Sequence, residues 1–161
     1  MDKKLKIGWY SFSCCEDSTI IFTEMLNEHY LEWKKVLDIR SALILQRRDH
    51  HDEMDVAFVE GAITSEEQEK KLKDIRVRAK KIVAIGACAT IGMPSGQRNL
   101  FDEEKQKEIA PILTRFKYAP SVKKLSDIVT VDSVVPGCPM DENIFLQVLT
   151  KYLKEFGIII S

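Results

Sequence analysis

The chain contains no apolar run approaching the roughly 20 residues that cross a bilayer. Its opening Met-Asp-Lys-Lys-Leu-Lys leads only into Ile7-Gly8-Trp9-Tyr10 before polar residues resume, too short an apolar stretch for a signal peptide. No direct membrane insertion and a cytoplasmic location are expected. Charge of one sign is also missing: 24 basic side chains stand against 25 acidic ones. Such a balance leaves no electrostatic footprint for nucleic acid or for an anionic membrane surface. Repeats, low-complexity tracts and linkers are absent, and 161 residues with 45% apolar content suffice for one continuous core. One domain over residues 1–161 is expected. Cysteine is scarce, with four in all. In a reducing compartment these are thiols, ligands or catalysts rather than disulfides, and Cys14 and Cys15 are too close to bridge without strain.

What is present is an alternation of short apolar runs and charged stretches of helical period. The runs Leu5 to Trp9, Val56 to Val59, Ile82 to Ile85 and Ile128 to Val135 read as strands, with a weaker fifth at Ala42 to Leu45. The alternation predicts an α/β domain with a buried parallel sheet. A first helix beginning near Asp17 or Ser18, both good caps, places Phe22, Met25, Leu26, Tyr30 and Trp33 on one face. Thr64-Ser65-Glu66-Glu67-Gln68 contains capping-box patterns and opens a second helix. Its thin apolar content (Leu72, Ile75, Ala79) predicts packing at the edge of the domain. A last helix from Asp141 to Phe156 repeats Phe145, Leu149, Tyr152, Leu153 and Phe156 at helical spacing and stops at Gly157. Between Asn99 and Pro120 the pattern is less legible, because Pro111 interrupts any helix there.

The cysteines fall at strand ends. Cys14 and Cys15 follow the first strand, Cys88 follows the run ending Ile85-Gly86-Ala87, and Cys138 follows Val135-Pro136-Gly137. With parallel strands all three loops emerge at the carboxyl edge of the sheet, where open α/β folds place their ligands. Gly86, Gly92, Gly96 and Gly137 allow tight turns and close backbone approach there. Four convergent thiolates suit either tetrahedral zinc or an iron-sulfur cluster. Zinc knuckles usually pair cysteines two to four residues apart, whereas here one pair is adjacent and the others are single and remote, a spacing that favours a cluster. Four ordinary buried cysteines are the bland reading, and their shared position at strand-end turns speaks against it.

Three strings carry a family resemblance: Val59-Glu60-Gly61-Ala62-Ile63, Gly86-Ala87-Cys88-Ala89-Thr90-Ile91-Gly92 with Pro94 and Gln97-Arg98-Asn99, and Pro136-Gly137-Cys138-Pro139. They resemble the motifs of the nickel-iron hydrogenase small subunit, most of all its short cytoplasmic kind, and of the related 20 kDa cluster subunit of respiratory complex I. The resemblance implies a flavodoxin-like, doubly wound parallel sheet with helices on both faces. It further implies one 4Fe-4S cluster on Cys14, Cys15, Cys88 and Cys138, relaying single electrons to or from a hydrogenase-like large subunit. Further iron-sulfur or flavin subunits would carry electrons onward, and the lone chain would be catalytically silent. Ser11 stands where the hydrogenase pattern has its first cysteine, while the tandem Cys14-Cys15 is similar to the complex I subunit; Met93 stands where a second glycine is usual. A quinone-reducing or other complex I-like assembly is therefore the alternative partner class.

Other residues carry weaker signals. Glu16, just after the cysteine pair, stands where proteins of the resembled family often have an acidic residue near the subunit boundary; the resemblance makes it a candidate proton relay, although a carboxylate complementing a helix N-terminus explains it more simply. His29 falls inside a helix, and His50 and His51 sit in a charged turn with no ligand-like spacing to the cysteines. Ser11, Ser13, Ser18 and Thr19 crowd the first strand-end loop and suggest, as a competing class, an FMN carrier with its phosphate there. A zinc-stabilised interaction module is the third class.

Overall fold

A computed structural model describes residues 3–46 and 53–158. Five strands form one sheet: β1 (Leu5–Ser11), β2 (Leu37–Ala42), β3 (Met54–Glu60), β4 (Ala79–Ile85) and β5 (Ser133–Val135). They lie in the order β2-β1-β3-β4-β5 and every pair is parallel. This is the flavodoxin-like arrangement, in which the chain reverses its winding direction between β1 and β3. The helices are α1 (Asp17–Glu28), α2 (Tyr30–Val36), α3 (Glu66–Arg78), α4 (Gly86–Ile91), α5 (Glu103–Arg115) and α6 (Glu142–Glu155). Each strand of the ladder needs cover on both faces, and β3, at the centre, is buried at every position.

The apolar residues divide between the two faces. On one, Leu5, Ile7 and Trp9 of β1 join Val56, Phe58, Val83, Ile85 and Val135 beneath α1, α2 and α6. Its centre is aromatic: Trp9 stacks on Phe22 with ring centroids 4.2 Å apart, and Phe145 meets both rings edge-on. On the other face Tyr10, Ala57, Val59, Ile82 and Ala84 pack under Leu72 and Ile75 of α3 and under Leu125. The thin apolar stripe of α3 thus covers the middle of a sheet face, not the domain edge. Two fully buried side chains suffice because Leu125, Ile128, Val129 and Val131 supply the rest of the cover.

Other expectations are corrected in the same way. The strand expected at Ala42 to Leu45 is β2, five residues earlier; Leu43–Leu45 form a 3-10 turn whose side chains are exposed. Only Ser133–Val135 of the run from Ile128 joins the ladder, since the residues before it pack across the second face. The first helix breaks at His29, which lies at the junction of α1 and α2 instead of inside a helix. Tyr30 consequently leaves the apolar face and is exposed beneath Lys34. Pro111 does not interrupt α5. That helix is solvent-exposed along most of its length, so the carbonyl which loses its partner can turn to water, and Thr114 Oγ donates to the Ala110 carbonyl at 3.0 Å.

The predicted cap at Ser65 is present, Ser65 Oγ accepting from Gln68 N at 3.2 Å, but the reciprocal bond of a capping box falls one residue early: Gln68 Oε1 accepts from Thr64 N at 2.8 Å. For α6, Asp141 caps the helix by accepting from Ile144 N, and Gly157, with φ of 68°, ends it.

Candidate iron-sulfur site

Four segments meet at the carboxyl edge, beside the place where the winding reverses. After β1 the chain continues as a short ladder along the end of β3. Phe12 N donates to Glu60 O (2.8 Å), and Ser13 and Ala62 exchange backbone bonds of 3.0 Å in both directions. This pairing brings backbone against backbone at Gly61. Its φ is +90°, and a β-carbon there would stand 2.8 Å from the Phe12 carbonyl carbon, so only glycine fits. Cys14 and Cys15 leave the end of this ladder, Cys88 lies in the first turn of α4, and Cys138 sits in the turn after β5. Ala87 N donates to Gly137 O at 2.7 Å and locks the last two together.

All four cysteines line one recess, shared with Asp17, Ser18, Glu60, Ile85 and Pro139. They are free thiols: Cys88 is buried, Cys14 half-buried, and Cys15 and Cys138 exposed. Among the described residues no three His, Cys, Asp or Glu side chains stand close enough to hold a single metal ion. Four sulfurs around one recess suit a cluster whose irons each take one cysteine.

Burial, followed by the charge of Glu60, pushes the Cys14 thiol from 9.0 up to about 12. The Cys15 thiol is also raised. There the strongest influence, the Asp17 backbone N–H, pulls downward and is outweighed by partial burial and by the Asp17 side chain. Only the thiolate reacts with alkylating agents. At pH 8 an ordinary thiol near 9 is about one-tenth ionised and Cys14 only about one part in ten thousand. In metal-free protein, iodoacetamide should therefore label the exposed Cys138 and Cys15 well before Cys14 and buried Cys88; mass spectrometry of timed quenches reads the order. Cys14 should gain reactivity at higher pH than the exposed thiols, since burial and the Glu60 charge hold its proton.

The residue whose role the sequence did not disclose is Glu60. It ends β3, is 3% exposed, and accepts from Ser18 N (3.1 Å) and Thr19 Oγ1 (2.6 Å). Neither Asp17 nor Ser18 caps α1. The N-cap is Glu16, in left-handed conformation with φ of 64° and making no side-chain cap bond, and Glu60 caps the first turn from across the sheet. In the sequence it shows as an acid terminating the fully apolar stretch Val56-Ala57-Phe58-Val59, inside the motif Val59-Glu60-Gly61, with no sign of its partners. Glu16 itself is exposed at the rim beside Cys15.

The hydroxyls that suggested a phosphate site are engaged elsewhere. Ser11 meets Thr19 (3.1 Å), Ser13 meets Thr64 (2.8 Å), Ser18 accepts from Met140 N (3.2 Å), and Thr19 also accepts from Trp9 Nε1 (2.8 Å). With the Glu60 carboxylate among them, this corner repels a phosphate instead of cradling it. His29 stacks on Trp33 away from the cysteines; His50 and His51 lie outside the described residues.

The chain is 28% identical to a component of the F420-non-reducing hydrogenase of Methanothermobacter marburgensis, over 96% of this chain and 55% of that protein. It is 31% identical to the gamma chain of the coenzyme F420 hydrogenase of Methanosarcina barkeri, over 86% of this chain and 50% of that one. The chain thus spans about half the length of these relatives. The delta chain of the NAD-reducing hydrogenase HoxS of Cupriavidus necator is 26% identical over 91% of this chain and 77% of its own. A chain of an NAD+-reducing [NiFe]-hydrogenase crystal structure superimposes with a TM-score of 0.80 at 23% identity, covering 95% of this chain and 93% of that chain, and so shares the fold. The model of the NADH ubiquinone oxidoreductase 20 Kd subunit family matches residues 14–152, from the first cysteine to the last turn of α6, and the chain belongs to that family.

Proposed function

We propose that the chain is a small, electron-transferring subunit of a hydrogenase-like oxidoreductase, and that Cys14, Cys15, Cys88 and Cys138 hold one 4Fe-4S cluster in a single domain spanning 1–161. The observation that carries this reading is that four cysteines, far apart in sequence, line one recess at the carboxyl edge of the sheet. A bound cluster supplies one-electron transfer. The protein's part is to hold and tune it. Buried Cys88 and half-buried Cys14 form the floor, the backbone bond from Ala87 N to Gly137 O fixes the spacing of the Cys88 and Cys138 segments, and Glu60 anchors the helix turn that follows Cys14 and Cys15. Cys15 and Cys138 leave the rim open to solvent. An exposed rim of this kind calls for a partner to exclude water and to shorten the path for the electron, and a hydrogenase-like large subunit is the partner proposed. Further iron-sulfur or flavin subunits complete the route, in the cytoplasm; among the described residues no helix is long and apolar enough to cross a membrane.

The adjacent Cys14-Cys15 pair and the family's own description favour a second reading, a cluster subunit in a complex I-like assembly without hydrogen chemistry. The cysteine site is the same in both. Iron, sulfide and zinc analysis of anaerobically purified protein, with an electron paramagnetic resonance spectrum after reduction, tests it. About four irons and four sulfides per chain and a reducible cubane signal are expected. One zinc and no iron, persisting after cluster reconstitution, would overturn the electron-transfer reading. Co-purification with a nickel-containing large subunit separates the hydrogenase-like partner from the complex I-like one.

A further inference from the structure

Ser95 lies seven residues beyond Cys88, in the turn between α4 and the Gln97–Leu100 3-10 turn. Its hydroxyl is 3.1 Å from Cys88 Sγ and donates to the Ser13 carbonyl at 2.9 Å. It thus ties the turn after α4 to the residue just before Cys14. The loop holding it is fixed from below, because the Asn99 side chain both accepts from Val122 N and donates to Val122 O, each at 2.8 Å. Val122 in turn packs with Cys88 and Ala62. The hydroxyl is held in place by two neighbouring segments.

A proton count gives the consequence. A serine hydroxyl has one proton and two lone pairs. In the free-thiol protein that proton points at Ser13 O, so the short contact to Cys88 is made by the thiol proton. As a cluster ligand Cys88 is a thiolate and has no proton to give. The contact survives only if the hydroxyl turns its own proton onto the sulfur. Ser13 O keeps a partner when this happens, since it also accepts from Ala62 N at 3.0 Å.

We infer that Ser95 is a positioning and tuning residue for the cluster, donating a hydrogen bond to the Cys88 thiolate and raising the cluster's reduction potential. The inference rests on the four-cysteine reading above. A hydrogen bond to a ligand sulfur stabilises the more electron-rich, reduced state, which is how hydrogen bonds to sulfur set iron-sulfur potentials.

The test compares redox titrations, followed by electron paramagnetic resonance, of wild-type protein, Ser95→Ala and Ser95→Thr, each with iron and sulfide measured. The expected result is equal cluster content, a midpoint potential shifted negative in Ser95→Ala, and a return toward the wild-type value in Ser95→Thr, which keeps the hydroxyl. Equal potentials in fully loaded wild type and Ser95→Ala would overturn the inference while leaving the cluster reading intact. A wild-type protein without cluster would overturn that reading, and this inference with it. Should Ser95→Ala fail to load, proton NMR of 15N-labelled wild-type protein decides. A cluster-shifted, exchangeable proton not bonded to nitrogen supports the hydroxyl donor, and its absence counts against it.

Discussion

Cys88→Ser protein is expected to purify without its cluster, iron and sulfide falling from about four of each per chain to below about one. Cys88 is the most deeply buried of the four sulfurs, 7% exposed and packed against Ala62 and Val122. An alcohol there is a poor ligand at neutral pH, because its proton is not released as a thiol's is. Ser95 is equally unsuited to replace it. The effect on the fold itself should be small. The two side chains are close in size, and changing a thiol to a hydroxyl in a half-apolar niche costs about 1 kcal/mol, or roughly 2–4 °C in melting temperature for a chain of this size. Metal-free wild type and metal-free Cys88→Ser should therefore melt close together. Loaded wild type should melt well above both, because ligand binding to the folded state adds to its stability. This pattern distinguishes a ligand from a core residue; full cluster content in Cys88→Ser would remove Cys88 from the site.

The cysteines were legible because each ends an apolar run, and a strand that ends in a parallel sheet fixes the edge at which its loop appears. Strands β3 and β4, covered on both faces, were legible from the unbroken apolar stretches Val56 to Val59 and Ile82 to Ile85, and β1 from an apolar run interrupted only by Lys6 and Gly8. Edge strand β2 was not. Its Asp38 and Arg40 pair with each other at 2.6 Å on the open side, and that charge disguised the strand, while the exposed Leu43-Ile44-Leu45 turn mimicked one. The residues from Ile128 to Val131 are apolar because they lie across the sheet, and periodicity does not separate lying across from lying within. Least legible were the polar residues that organise the site. Glu60 meets partners 41 and 42 positions away, and Ser95 meets Ser13 across 82. A hydrogen bond between such distant residues leaves no local pattern, so only the family motif drew attention to Glu60, and nothing in the sequence marked Ser95.

Glu60→Ala should destabilise the protein by about 3 kcal/mol, lowering the melting temperature by roughly 6–12 °C. The carboxylate is nearly buried and accepts two bonds from the first turn of α1, and bonds to a charged acceptor are worth about 1.5–3 kcal/mol each. Thr19 has a second partner, Ser11 Oγ at 3.1 Å, to which its proton can turn, so its share is largely recovered. Ser18 N has no such alternative within its turn. Its orphaned N–H, together with the lost attraction between a carboxylate and a helix N-terminus, accounts for most of the loss. Glu60→Gln keeps the shape and an acceptor oxygen for Ser18, so it should lie much closer to wild type; thermal unfolding of the three proteins measures the difference. A second readout separates charge from packing. Glu60 is, after burial, the main influence raising the Cys14 thiol. Removing its negative charge should lower the pH at which Cys14 ionises, in Glu60→Gln as well as in Glu60→Ala, and so speed alkylation of Cys14 at a fixed pH. Unchanged Cys14 reactivity in a stably folded Glu60→Gln protein would show that burial alone governs this thiol. Faster reaction with little loss of stability would show that Glu60 acts on the helix through its shape and on the sulfur through its charge.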